Sequence, residues 1–145
     1  MINNKKGYRG YCTPNPFGSY SIPAPAQNII FRDYANKHNL LFKLSVNELI
    51  FKNCYLHLFS LLDELSKHEG VFMCSLFVLP NDQELREHIY NKFIDNNSEL
   101  HLILENLVLK TKEDSEYIEK IFNLQNQSQY SLNEKELKEY YKLEK

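Results

Sequence analysis

The stretch VFMCSLFVL, residues 71–79, decides the fold class of this sequence. It is a continuous apolar run of strand length, preceded by Gly70 and ended by Pro80. Strands that are buried on both faces carry such unbroken apolar runs, and they are typical of the centre of a parallel sheet. The stretch therefore predicts a central parallel strand with helices packed on both of its faces.

Apolar patterns on either side of this stretch alternate between strand and helix. Further strands are predicted over residues 6–13, 40–46 and 100–109, the last interrupted or ended near Glu105 and Asn106. Helical spacing and terminal signals predict helices over 26–39, 53–68, about 80–96 and 113–124. This alternation predicts an α/β fold: a three-layer open parallel sheet of about four strands, of the flavodoxin or resolvase type.

The length of 145 residues suits one domain with an extension. The polar tract QNQSQ, residues 125–129, predicts a linker, and Ser131 with Glu134 forms a capping-box pattern that opens a charged helix. We therefore predict a single α/β domain over residues 1–127 and a charged helical extension over 128–145. The extension could pack on the body of the protein, on a second copy, or on a partner enzyme of the same pathway.

Composition argues against several classes of protein and site. The formal net charge of −2 makes a nucleic-acid partner held by bulk charge unlikely. No apolar run approaches the length of a membrane span, and no secretory leader is recognisable. A cytoplasmic protein is therefore expected. Three cysteines without a CxxC spacing and five scattered histidines predict neither a disulfide nor a metal site. No cofactor is predicted, because the glycines of GYRGY do not form a dinucleotide-binding pattern.

The loop over residues 14–25 contains four of the five prolines of the chain. A connection between a strand and a helix usually has about 2–6 residues, so this loop is long. Its prolines and its aromatic residues Phe17 and Tyr20 favour an ordered lid. Because ligands of open parallel sheets bind beyond the carboxyl ends of the strands, the loop predicts a binding site at that edge.

Polar side chains near the predicted strand ends point to the same edge. Carboxylates and amides bind hydroxyl groups, while arginine and helix N-termini hold phosphate, so the set suits a sugar or a sugar phosphate. Candidate catalytic residues are Glu48, Glu105 and Cys12. Candidate ligand-binding residues are Arg9, Thr13, Gln27, Asn28, Arg32, Ser75 and Asn106.

Each of these candidates also has a purely structural interpretation. Cys12 could be a small buried apolar residue, Glu48 a solvated carboxylate, and Arg32 one member of a surface ion pair. Glu105 is the hardest to explain structurally, because it interrupts an apolar run and must find a partner or reach the edge of the sheet.

The pattern GYRGYCT, the glutamine of Ala26-Gln27, Glu48, LLDEL and VFMCSLFVL resembles the catalytic domain of the serine recombinases over about the first 110 residues. The catalytic pattern of that family does not carry over. Cys12 stands in place of the nucleophilic serine, Arg9 is one position away from the arginine of the motif, and LFVLPND lacks the acid–arginine pair. The resemblance implies a common architecture without the activity.

A second resemblance rests on GYRGYCTPNPFGSYSIPAPAQN, followed by RDYANKHNL, LSVNE, CSLFVLP and HLILEN. This set is similar to the sporadic carbohydrate cluster protein family, found among bacterial genes for lipopolysaccharide, O-antigen and related surface polysaccharides. The resemblance implies a role in making or modifying a surface glycan, and it supplies no catalytic residues.

The sequence therefore predicts a protein of surface-polysaccharide biosynthesis that binds or modifies a sugar or nucleotide-sugar intermediate. Two alternatives stay open: a non-catalytic module that assembles with a pathway enzyme or a second copy, and, more remotely, a resolvase-like recombinase. The sequence leaves open whether the protein is an enzyme.

Overall fold

The order of strands and helices follows the alternation that the sequence predicts. A computed structural model describes the backbone of residues 6–131 and the side chains of residues 6–125. The strands are β1 (Tyr8–Cys12), β2 (Phe42–Asn47), β3 (Gly70–Met73), β4 (Glu99–Leu102) and β5 (Leu107–Leu109). The helices are α1 (Ala24–Lys37), α2 (Leu56–Leu62), α3 (Gln83–Asp95) and α4 (Lys112–Ser131).

The five strands form one sheet in the order β2-β1-β3-β4-β5. The pairs among the first four strands are parallel, and β5 pairs antiparallel with β4. This confirms the predicted α/β class with a mostly parallel sheet, although the sheet has a fifth strand. The region predicted as one strand over 100–109 folds back at residues 103–106, so its second half becomes β5.

Helices cover both faces of the sheet. Phe31 of α1 packs on Phe72 of β3 on one face. Tyr11 points to the opposite face, where its hydroxyl donates a hydrogen bond to Glu48. The Glu48 carboxylate also accepts a hydrogen bond from an amide N–H near the start of α2. The helix α3 contacts both α2 and α4. Alternation of side chains along the strands therefore explains the three layers.

The apolar stretch 71–79 is shorter as a strand than its sequence predicts. β3 ends at Met73, and Leu76–Val78 forms a short 3-10 helix, yet the stretch is buried at every position except Phe77. The side chain of Ser75 accepts a hydrogen bond from the Phe77 amide and so caps this turn. The apolar run therefore predicts the burial of this stretch correctly, although the strand itself is shorter than predicted.

Two helix boundaries also differ from the sequence-based expectation. The predicted helix over 53–68 is divided into α2 and a short 3-10 helix, Leu65–Lys67. The tract over 125–129, predicted as a linker, lies inside α4. Residues 132–145 lie outside the described part of the chain, so the helical extension over 128–145 stays a prediction. No helix in the described part combines the length and apolarity needed to cross a bilayer.

Candidate functional site

A cleft of about 650 Å³ opens at the carboxyl edge of the sheet. Three segments wall it: residues 13–18 after β1, residues 50–55 before α2, and residues 77–81 after β3. This is the edge at which the sequence predicts a ligand site, and the long loop after β1 forms one of its walls. Its polar lining consists of Thr13, Asn15, Lys52, Asn53, Cys54, Tyr55 and Asn81.

The loop after β1 has an ordered structure. Phe17 and Tyr20 exchange two backbone hydrogen bonds of 3.0 and 3.1 Å, which close a tight turn. Gly18 occupies this turn with φ of +60°, and a Cβ at this position would lie 2.9 Å from the Phe77 ring. Only glycine meets both requirements without strain. The turn therefore anchors one wall of the cleft against the segment that follows β3.

Gln27 fastens both ends of this loop to α1. Its side-chain amide donates to the carbonyl oxygens of Thr13 (2.7 Å) and Ile22 (2.8 Å), and its carbonyl oxygen accepts from the Thr13 N–H (3.2 Å). The side chain is fully buried. The sequence predicts that Gln27 binds a ligand. In the structure all of these hydrogen bonds join Gln27 to the backbone of the loop and its ends, and Gln27 does not line the cleft.

Glu48 is also occupied by the fold. One carboxylate oxygen accepts from the Tyr11 hydroxyl (2.7 Å) and the Leu58 amide (3.1 Å), and the other accepts from the amides of Leu49 and His57 at 3.0 and 3.1 Å. Burial by itself would raise the pKa of Glu48, but these hydrogen bonds outweigh it and lower the pKa below its ordinary value. An ionised Glu48 therefore caps α2, which needs acceptors for its first amides.

Glu105 and Ser75 form a pair at the same edge. The Ser75 hydroxyl donates to Glu105 at 2.8 Å, and the Leu76 amide donates to the other carboxylate oxygen at 2.5 Å. Burial raises the pKa of Glu105 despite these bonds. Asn106 follows in the turn, exposed and with φ of +55°. The structure thus brings the predicted Ser75, Glu105 and Asn106 together beside the cleft, not in its lining.

Cys12 has no exposed surface. Its thiol lies 3.9 Å from the Ala24 carbonyl oxygen, and burial raises its pKa to about 11. A thiolate nucleophile needs access and a lowered pKa. In this conformation Cys12 has neither, and it packs as a small apolar residue.

Three of the predicted binding residues lie away from the cleft. The Asn28 side chain accepts a hydrogen bond from the Ser45 hydroxyl and links α1 to β2. Arg9 and Arg32 instead line a separate groove beside β2. Arg9 lies in the middle of β1, where its Nε donates to the Leu44 carbonyl oxygen at 2.6 Å. Of the ten predicted site residues, only Thr13 lines the cleft itself.

Sequence reasoning missed most of the polar lining. Asn15 lies in the loop after β1, where its side chain donates to the Phe51 carbonyl oxygen at 3.0 Å and so joins two walls. Lys52, Asn53 and Tyr55 belong to the segment between β2 and α2. Its position was the available signal, because the segment begins shortly after the end of the strand predicted over 40–46.

Lys52 is the only charged residue in the described lining of the cleft. The remaining polar groups are amides, hydroxyls and a thiol. A site with one cation and several amides suits a ligand that carries hydroxyl groups and an anionic group. Within the described residues, no cluster of three His, Cys, Asp or Glu side chains could hold a metal ion.

Comparison with known proteins supports the fold and not a family. Neither a protein-family model nor a curated protein matches this sequence. Among solved structures, the chain is similar to the N-terminal catalytic domain of TP901-1 integrase, with a TM-score of 0.64 and 13% sequence identity. The match covers 86% of this chain and 97% of the integrase domain. The likeness to a recombinase catalytic domain therefore holds at the level of architecture.

Proposed function

We propose that this protein binds a phosphorylated sugar or a nucleotide sugar in the cleft at the carboxyl edge of the sheet. The observation that carries the proposal is the cleft itself, which has a volume of about 650 Å³, is lined by polar residues over about half of its wall, and is bounded by the long ordered loop after β1. Its volume lies within the range of about 300–1,000 Å³ that small-molecule sites occupy. Its place fits the rule that open parallel sheets bind ligands beyond their carboxyl ends.

Four of the polar side chains in the lining have a part in this proposal. The ammonium group of Lys52 holds the phosphate, because Lys52 is the one cation among the described residues that line the cleft. The amides of Asn53 and Asn81 bind sugar hydroxyls as donors and as acceptors. The Tyr55 ring offers a flat surface for the sugar or the base. The resemblance to proteins of surface-polysaccharide gene clusters extends the proposal to an intermediate of glycan synthesis.

The carboxylates differ in their fitness for catalysis. Glu48 accepts five hydrogen bonds within the fold, one of them from the Cys54 thiol, and moving a proton would require breaking the cap of α2. Glu105 suits a proton-transfer role better, because burial raises its pKa towards neutrality and it lies beside the cleft. We therefore propose ligand binding as the function, with Glu105 as the residue to test for catalysis.

Thermal unfolding of the full chain with uridine diphosphate glucose, glucose 1-phosphate and uridine diphosphate tests the proposal. A ligand that binds only the folded state raises the melting temperature as its concentration rises above its dissociation constant. We expect a shift with at least one compound, reduced in Lys52→Ala and Asn81→Ala and retained in Lys120→Ala, since Lys120 lies on α4 outside this cleft. No shift, or a shift equal in all variants, would refute this site.

The recombinase architecture favours one alternative, a DNA-strand-transfer enzyme. Its support is the likeness to the integrase domain. Against it, the residue in place of the recombinase serine is Cys12, which is buried. Incubation with supercoiled plasmid followed by denaturing electrophoresis decides between the two. A covalent protein–DNA adduct lost in Cys12→Ala would establish the alternative.

A further inference from the structure

A second groove lies beside the edge strand β2. We call it the basic groove; it has a volume of about 500 Å³ and is lined by Arg9, Arg32, Phe42, Lys43, Leu44 and His68. None of these residues lines the carboxyl-edge cleft. The basic groove is therefore a separate feature, built from the middle of β1, the first half of β2, α1, and His68, which directly follows the short 3-10 helix Leu65–Lys67.

The lining of the basic groove is strongly cationic. Arg9, Arg32 and Lys43 each carry a positive charge, and among the described residues of the lining there is no carboxylate. None of the three forms an ion pair with another residue of the described chain. Arg9 uses its Nε on the Leu44 carbonyl oxygen, which leaves its terminal amino groups without a partner among the described residues. Three unneutralised cations around one groove call for an anion of more than one charge.

A β-bulge positions Arg9 in this groove. Tyr8 pairs with Phe42 and Gly10 pairs with Ser45, so Arg9 alone stands opposite both Lys43 and Leu44. A bulge leaves one backbone group outside the regular ladder and turns the local side chains. Here the Leu44 carbonyl oxygen receives its hydrogen bond from Arg9, which fixes the guanidinium group beside β2.

His68 provides a second, independent indication. Both of its ring nitrogens are shielded from solvent and have no hydrogen-bond partner among the described residues. Buried polar atoms without partners are rare in native proteins, and a missing ligand is one physical explanation. The groups that influence its charge are Arg9 of β1, Lys43 of β2, and Glu64 and Lys67 beside the short helix. Of these, Glu64 is the one carboxylate, and it lines a neighbouring groove that Arg9 also lines.

We propose that the basic groove binds the phosphate moiety of a small organic phosphate. A phosphate dianion matches the charge of Arg9, Arg32 and Lys43 and offers acceptor oxygens to guanidinium groups. The side chains of Phe42 and Leu44 supply an apolar wall for the carbon part of the ligand. This site goes beyond the proposed function, because it shares no residue with the cleft and would stand if the cleft bound nothing.

An NMR titration of the full chain tests the proposal. Inorganic pyrophosphate and uridine diphosphate are added at constant ionic strength while the backbone amides of Lys43 and Leu44 and the ring of His68 are followed. We expect saturable shifts at these three residues. Arg32→Gln and Lys43→Gln should each weaken binding roughly tenfold, the loss expected for one charged contact. Neither side chain bonds another described residue, so both variants should fold.

Two control variants separate this site from other effects. Lys120→Gln removes an exposed cation from α4 and should leave the titration unchanged, and Lys52→Ala should also leave it unchanged because Lys52 lines only the cleft. No saturable shift, or equal binding by Arg32→Gln, Lys43→Gln and wild type, would overturn the proposal. Binding of a 12-nucleotide DNA strand without binding of either small phosphate would also overturn it and would indicate a nucleic-acid surface instead.

Discussion

Gln27, in the first turns of α1, holds the backbone of Thr13, at the end of β1, by two hydrogen bonds of 2.7 and 3.2 Å. The same amide reaches Ile22. One side chain thus fixes where the loop after β1 begins and where it approaches α1. The position of one wall of the cleft depends on this contact, although Gln27 itself does not line the cleft.

Replacing Gln27 by leucine should destabilise the protein. Leucine has a similar size but cannot bond, so it leaves the Thr13 N–H and two carbonyl oxygens without partners in a buried place. We expect a loss of roughly 2–4 kcal/mol in the free energy of unfolding, measured by urea titration. Gln83→Leu is the matched control, because Gln83 is exposed and bonds only Glu87, and it should change stability by less than about 0.5 kcal/mol. Equal losses in the two variants would contradict this account of the loop.

Replacing Glu48 by glutamine should destabilise the protein in a pH-dependent way. The amide puts a donor where an oxygen accepts from backbone N–H groups, so at least one backbone donor loses its acceptor. At pH 7 we expect a loss of roughly 2–3 kcal/mol. The pKa of Glu48 is lower in the folded protein than in the unfolded chain. The ionised carboxylate therefore stabilises the fold at pH values above its unfolded-state pKa, and this stabilisation is lost as the pH falls through its folded-state pKa. The difference between variant and wild type should therefore narrow below about pH 4.5.

Asp82→Asn provides the comparison for Glu48. Asp82 caps α3 through a single oxygen that accepts from the amides of Glu84 and Leu85, and asparagine keeps that oxygen. Its stability should stay within about 0.5 kcal/mol of wild type, since Asn and Asp are comparable N-caps. Urea unfolding at pH 7 and pH 3.5 measures both variants. A Glu48→Gln protein as stable as wild type at pH 7 would show that the carboxylate is not needed as a cap.

The sequence was sufficient to predict the fold class because burial and chain order are local properties. Residues 71–79 are buried almost throughout, as their apolarity predicts, and the alternation of strands and helices follows the chain. The sequence could not show that β3 ends at Met73. Just beyond this point the Leu76 amide donates to Glu105, which lies 29 residues further along the chain than Leu76. Nor could it show that residues 107–109 turn back to pair with β4.

The position of the cleft could be predicted from the sequence, but its lining residues could not. The loop after β1 indicated the edge at which the structure has a cleft, because a loop of this length and proline content needs a structural reason. The role of each polar residue depends on partners distant in sequence: Glu48 meets Tyr11, 37 residues away, and Gln27 meets Thr13, 14 residues away. A sequence shows which residues carry hydrogen-bond donors and acceptors, but not which of them bond each other in the fold. Residues whose side chains bond other parts of the protein were therefore predicted as ligand contacts.

The pKa of His68 should respond to the charges around the basic groove. Burial lowers this pKa most, and Arg9 and Lys43 lower it further, while Glu64 raises it. Lys43→Met should therefore raise the pKa of His68, and Glu64→Gln should lower it, as followed by the ring proton shifts in an NMR pH titration. Because the pKa of His68 is lower in the folded protein than in the unfolded chain, protonation of His68 favours the unfolded state. The free energy of unfolding should therefore decrease as the pH falls below about 6.5. Shifts of the same sign in both variants would contradict the arrangement.

The three cysteines should differ sharply in reactivity towards a thiol reagent. Cys12 and Cys74 have no exposed surface, and burial raises their pKa values to about 11 and about 12, whereas Cys54 is partly exposed in the lining of the cleft. We expect at most one thiol to react in the native protein at pH 8 and all three to react in denaturant. Cys54→Ser should remove the native reaction, and Cys12→Ala should leave it unchanged. Rapid native labelling that is lost in Cys12→Ala would show instead that the loop opens and presents Cys12, which would restore its predicted role as a nucleophile.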